Sequence, residues 1–178
     1  MKTDITRIDN QGNGFSSALE ETKRAAAYAE LNPKNAIQLR MLTHEMLCLA
    51  RSITGEMKAD FWIEREDGRF DLHMTTETEM DAEKRALLIR SASSQKNEAA
   101  KGFLGRLRDS VEQALATPVD HSQEAIPNDV WADIPSQPVG DPDWDGYERS
   151  VLRSLADNVK VGIRGGKVEI TVSKTFEA

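Results

Sequence analysis

Apolar residues recur at spacings of three and four from residue 34 to 54, as Leu39, Leu42, Met46, Leu49 and Ile53. That stripe predicts an amphipathic helix, ended by Gly55. Residues 15–31 read as a helix before it, with Ser16 or Ser17 as the cap and Asn32-Pro33 either stopping it or starting the next. The period then changes to two. Phe61 and Ile63, then Phe70, Leu72 and Met74, alternate with polar neighbours around Asp67-Gly68, a hairpin signal. Placing Glu66 opposite Arg69 pairs residues whose numbers sum to 135, so Ile63 faces Leu72 and Phe61 faces Met74. Val159, Val161 and Ile163 lead through Gly165-Gly166 into Val168, Ile170 and Val172, and a sum of 331 matches all three apolar pairs. Between the hairpins, Thr78-x-x-Asp81 resembles a capping box opening a helix to about Ser91. The polar stretch 91–97 reads as a mobile connection, and residues 97–116 as a helix with the stripe Leu104, Leu107, Val111 and Leu115. A weak strand at 3–8 and a short helix at 146–157 complete the pattern. Two apolar hairpin faces need cover, and the helices supply it. The fold class expected is α+β: a two-layer sandwich with a mixed, mostly antiparallel sheet and helices on one face.

A chain of 178 residues suits one domain, here 1–178. Residues 117–146 interrupt it. They hold five of the six prolines and seven acids (Asp120, Glu124, Asp129, Asp133, Asp141, Asp143 and Asp145) with no Lys or Arg. Those seven account for the whole net charge of −7, so the rest of the chain is neutral. An acidic, Pro-rich excursion pinned by Trp131 and Trp144 is expected there. A neutral body with an acidic appendage is a poor binder of nucleic acid, which needs a basic surface. No apolar run reaches the length of a membrane helix. The first residues lack the apolar core of a secretion signal, and Cys48 is the single cysteine. These features together lead to the expectation of a cytoplasmic protein.

Four groupings carry candidate chemistry. Glu45 lies about 60° from Leu42 on the helix wheel, at the edge of the stripe, where partial desolvation would favour general-base work; spacing alone describes a rim Glu more often. The segment KGFLGRLR, Lys101 to Arg108, places Gly102 and Gly105 with the bases Lys101, Arg106 and Arg108 at a helix start, suited to phosphate; the plainer reading is close packing with solvated bases. Asp141-x-Asp143-x-Asp145-Gly146 resembles half of a calcium loop, but its twelfth position is Leu152, not Glu. His44 and Cys48 stand four apart on one helix face without evident further ligands.

The order of elements resembles the GHKL (Bergerat-fold) ATPases, especially the small anti-sigma-factor serine kinases. LRMLTHEMLCLA (39–50) is similar to the N box, ADFWIEREDGRFDLHM to the strand pair before the first glycine box, SSQKNEAAKGFLGRLRD to the lid and second glycine box, and KVEITVSKTF to the closing strand. The resemblance implies ATP and magnesium as ligands, Glu45 as base, and Lys101, Gly102, Gly105 and Arg106 as the phosphate-holding residues. It implies a sigma factor or an anti-sigma antagonist as partner, and admits a homodimer. Two positions depart from it. Leu49 stands where the family carries its magnesium-binding Asn, and Thr75-Thr76-Glu77-Thr78 supplies neither the adenine-reading Asp nor its glycines. The expectation is a regulatory protein with a degenerate ATP site, weak or absent nucleotide binding, and action through protein contact. The alternatives are an active ATP-dependent serine kinase and a calcium- or ligand-binding module using the acidic loop.

Overall fold

A computed structural model of the chain describes residues 1–9, 13–54, 58–100 and 152–177. Strand β1 (Thr6–Ile8) is followed by helices α1 (Phe15–Tyr28) and α2 (Pro33–Thr54), the hairpin β2 (Ala59–Glu66) and β3 (Arg69–Glu77), helix α3 (Ala82–Ser91), and the hairpin β4 (Asn158–Arg164) and β5 (Lys167–Thr175). The strands form one five-stranded sheet in the order β1-β2-β3-β5-β4. Every pairing between these strands is antiparallel.

Both hairpin registers match the sequence expectation. Phe61 pairs with Met74 and Ile63 with Leu72; Val159, Val161 and Ile163 pair with Val172, Ile170 and Val168. The tip of the first hairpin places Asp67 at φ 45° and Gly68 at φ 79°. Two consecutive positive φ values give a turn whose twist suits the strands it joins. The alternation then buries one face completely. Phe61, Ile63, Phe70, Leu72, Met74, Val161 and Ile170 are at most 1% exposed, and they share one core with Leu39, Leu42, Met46 and Leu47 of α2. The helices therefore lie on one face, making two layers.

Small residues let α1 approach α2. Ala18, Ala25 and Ala26 are buried, and Thr22 Oγ1 donates to the Ala18 carbonyl (2.8 Å) while lying 3.0 Å from Thr43 Oγ1. Both hydroxyls are fully buried, and the contact satisfies them inside an otherwise apolar seam.

The helix starts differ from expectation. Neither Ser16 nor Ser17 caps α1; its N-cap is Gly14, at φ 87°. The backbone of β1 passes so close that a Cβ on Gly14 would sit 2.0 Å from the Arg7 carbonyl oxygen, so space and dihedral both demand glycine. Helix α3 is capped by Asp81, whose Oδ1 accepts from the Lys84 N–H at 2.7 Å, and not by Thr78. Thr78 instead follows the end of β3 and is tied to the β4–β5 turn, its N–H donating to the Gly166 carbonyl.

The stretch 91–97, read from its polarity as mobile, is tied to the sheet. Ser93 N–H donates to the Val159 carbonyl and Ser93 Oγ accepts from Val159 N–H, each at 2.8 Å. Asn97 repeats this at Ile163, with Nδ2 donating to the carbonyl (2.9 Å) and Oδ1 accepting from the N–H (2.8 Å). Outward-facing groups of the edge strand are thus paired by side chains four residues apart, which blunts an edge that would otherwise invite another strand. Only Glu98–Ala100, a single 3-10 turn, and residues 152–155, which are helical, represent the helices expected at 97–116 and 146–157. Asn97, Ala156 and Asp157 are not helical, and residues 101–151 lie outside the described residues.

Candidate functional site

An open cleft of about 820 Å³ lies at one end of the sheet, between Arg7 and Ile8 of β1, Lys58 to Asp60, Thr75 to Glu79, Lys84 of α3 and Lys167 of β5. Its floor is held by Thr76, which is 4% exposed and donates from Oγ1 to the Lys58 carbonyl at 2.9 Å. Its wall includes Thr78, whose carbonyl approaches the β4–β5 turn so closely that a Cβ on Gly166 would lie 2.7 Å from it. Four cations line the cleft (Arg7, Lys58, Lys84 and Lys167), and so do four carboxylates (Asp9, Asp60, Glu77 and Glu79). Several are already engaged. Arg7 Nε is 3.8 Å from Asp60, Lys84 Nζ donates to the Glu79 carbonyl at 3.1 Å, and Lys167 lies 3.5 Å from Glu169. Among the described residues the charge of the lining is balanced, with no excess of one sign to concentrate a polyanion.

Glu45 lies on α2, and among the described residues none from Pro33 to Arg51 lines this cleft. Its side chain is 17% exposed, with Oε1 3.3 Å from His44 Nδ1. The His44 ring meets Phe15 edge-on at 5.7 Å, and Cys48 Sγ sits 3.7 Å from His44 Nδ1. His44 and Cys48 therefore do meet, as their spacing predicts. Among the described residues, however, no group of three His, Cys, Asp or Glu side chains is arranged to hold a metal. Leu49, where the GHKL resemblance would put a magnesium-binding Asn, is 4% exposed and belongs to the core. Leu152, at the twelfth position of the calcium-like loop, is 2% exposed and belongs to the same core. Lys101, Gly102, Gly105 and Arg106, and the three loop aspartates, lie outside the described residues.

The structure also assembles a polar cluster on the face of the sheet opposite the helices, which was not singled out from sequence. Trp62 and His73 stack with ring centroids 5.0 Å apart and planes 10° from parallel. His73 Nδ1 is 3.2 Å from Thr171 Oγ1, and its Nε2 lies 3.7 Å from Glu64. Glu64 accepts from Trp62 Nε1 (3.1 Å) and pairs with Lys2 (2.9 Å). Beside them Asp71 accepts from Arg69 and from Ser173 Oγ. Burial pushes the His73 imidazolium down from its ordinary range. The hydrogen bonds from Lys2 and Trp62 hold the Glu64 carboxyl below its ordinary value. The signal for this cluster was the register itself: a sum of 135 pairs Trp62 with His73 and Glu64 with Asp71, on the face that alternation leaves polar.

No family model matches the chain, and no curated protein matches it in sequence. Among solved structures, a chain in the crystal structure of the SiaB–SiaC complex from Pseudomonas aeruginosa superposes with a TM-score of 0.50, over 99% of this chain and 89% of that one. The likeness is one of fold. At 9% identity it transfers no residue roles, and it does not confirm the GHKL resemblance. No helix among the described residues is long and apolar enough to cross a membrane.

Proposed function

We propose that this chain is a regulatory protein of the anti-sigma-kinase-like type, with a degenerate ATP site, acting through protein–protein contact with a sigma factor or an anti-sigma antagonist. The observation that carries the reading is Leu49. A magnesium site needs oxygen ligands directed at the ion, and this position holds a buried hydrocarbon that belongs to the core. Thr76 supports it in the same way. In the stretch that would read adenine it offers a neutral hydroxyl, already donating to the Lys58 carbonyl, in place of a charged carboxylate. The charge-balanced cleft favours no triphosphate. The shared fold with a chain crystallised in a two-protein complex supports a role in protein contact.

The alternative, an active serine kinase, needs Glu45 as base and Lys101, Gly102, Gly105 and Arg106 around the phosphates. Phosphate release from ATP in the presence of magnesium separates the two. The proposed reading expects the same background rate for the native chain and for Glu45→Ala. Turnover that is lost in Glu45→Ala would replace it with the kinase reading.

A further inference from the structure

Among the described residues, the solvent face of α2 has a character of its own. At 100° per residue, Lys34, Ile37, Arg40, Met41, Cys48 and Arg51 fall within an arc of about 120°. Ile37 (61% exposed) and Met41 (44% exposed) are among the most exposed large apolar residues of the chain. They run with His44 and Cys48 at i, i+4, i+7 and i+11, a ridge about 16 Å long. Lys34, Arg40 and Arg51 are exposed along its two sides. The neighbouring α1 neutralises its own cations, with Lys23 paired to Glu20 and Arg24 to Glu21. On α2, among the described residues, Lys34, Arg40 and Arg51 have no ion pair. The single acid of that helix, Glu45, is turned to His44 and mostly buried. A chain with net charge −7 thus presents one helix face that is apolar along its centre and basic along both flanks.

We propose that this face docks a partner protein through a helix whose apolar stripe is flanked by Asp and Glu. The recognition follows the helix-against-helix mode, in which anchors at i, i+4 and i+7 supply contact and the flanking charges set orientation and approach rate. An anionic bilayer fits less well, because the ridge has no Trp or Tyr and the whole chain is acidic. A nucleic-acid backbone has no use for the apolar centre. The proposal rests on the reading of the chain as a protein-contact regulator and specifies where one contact is made.

The test uses the full chain and a synthetic stapled helix with leucines at i, i+4 and i+7 flanked by glutamates. A lysine-flanked version is the control. The readout is the rate at which a maleimide modifies Cys48, the single cysteine, which lies on the ridge. The glutamate helix is expected to slow modification at least ~tenfold at saturation, less so as salt rises from ~50 to ~300 mM, while the lysine helix has no effect. Arg40→Glu with Arg51→Glu is expected to weaken the glutamate helix by ~tenfold or more. The lysine-flanked control and the salt series need no variant to fold. Equal protection by both helices, or by neither, would overturn the proposal. So would protection by phosphatidylserine vesicles alone, or self-association lost in Ile37→Glu, which names a second copy. Faster modification after removal of 117–146 would overturn it in favour of that segment. Turnover of ATP would overturn the regulatory reading without changing Cys48 protection, so the two fail separately.

Discussion

Phe61 is the most informative residue to perturb, because it tests the sheet, its register and the helix layer together. It is fully buried, opposite Met74 on one side and Thr6 of β1 on the other. Truncation to alanine removes a large apolar side chain and leaves a cavity that the paired strands cannot collapse around, a loss of about 3–5 kcal/mol. With a urea slope of about 2 kcal/mol per molar, that moves the unfolding midpoint down by roughly 2 M. Phe61→Asp also buries a charge, and its cost approaches the ~5–15 kcal/mol stability of a typical domain. The control is the preceding residue on the opposite face. Asp60 is half-exposed and its pairing with Arg7 is long, at 3.8 Å, so Asp60→Ala is expected to stay within about 0.5 kcal/mol. Urea unfolding followed by far-UV circular dichroism measures all three. A loss below ~1 kcal/mol for Phe61→Ala, or equal losses at 60 and 61, would refute the assignment of faces.

Gly14→Ala is expected to cost more than ~2 kcal/mol, because the new methyl collides with the Arg7 carbonyl, whereas Gly165→Ala, with open space around it, costs only the ~1 kcal/mol of a left-handed backbone; urea midpoints compare them. His73 makes stability fall with acid. Its folded pKa lies below the ordinary 6.5, so the native state binds fewer protons than the unfolded chain. The stabilisation it confers is complete above 6.5 and is lost as pH falls from there through the folded value. His73→Gln is expected to flatten the stability profile in that window, and an unchanged slope would contradict the burial argument. Replacing 117–146 with a short Gly/Ser linker is expected to preserve a single cooperative unfolding transition, because both hairpins and the core under α2 remain; loss of folding would make that segment part of the core.

The strands were legible because a period of two assigns each residue to a face, and a two-glycine or Asp-Gly turn then fixes the partner. The same alternation held the Trp62–His73–Thr171 cluster, visible once the polar half of each register is read alongside the apolar half. Helix starts were less legible. Serines at 16 and 17 and Thr78 have the right chemistry for caps, but the close passage of β1 past Gly14, and the hydrogen bond that ties Thr78 to Gly166, are tertiary facts that local propensity does not encode. Ser93 and Asn97 escaped for a related reason, since polarity looks the same whether a side chain meets water or the edge of a strand. The candidate site was legible in part. Leu49 reads as a departure from the family pattern in sequence, and the structure adds that the position belongs to the core. Glu45 stands on the predicted rim of α2, but the cleft at the sheet end is built by residues from five separate segments, which no local pattern brings together.

The degenerate nucleotide site is the central claim, and calorimetric titration of the full chain with ATP and magnesium tests it most directly. The account predicts no saturable heat up to ~1 mM nucleotide, because at the positions where the GHKL resemblance would put a magnesium-binding Asn and an adenine-reading Asp the chain carries Leu49 and the neutral hydroxyl of Thr76. A dissociation constant of ~10 μM or tighter, weakened in Glu45→Ala, would contradict it and restore the kinase reading.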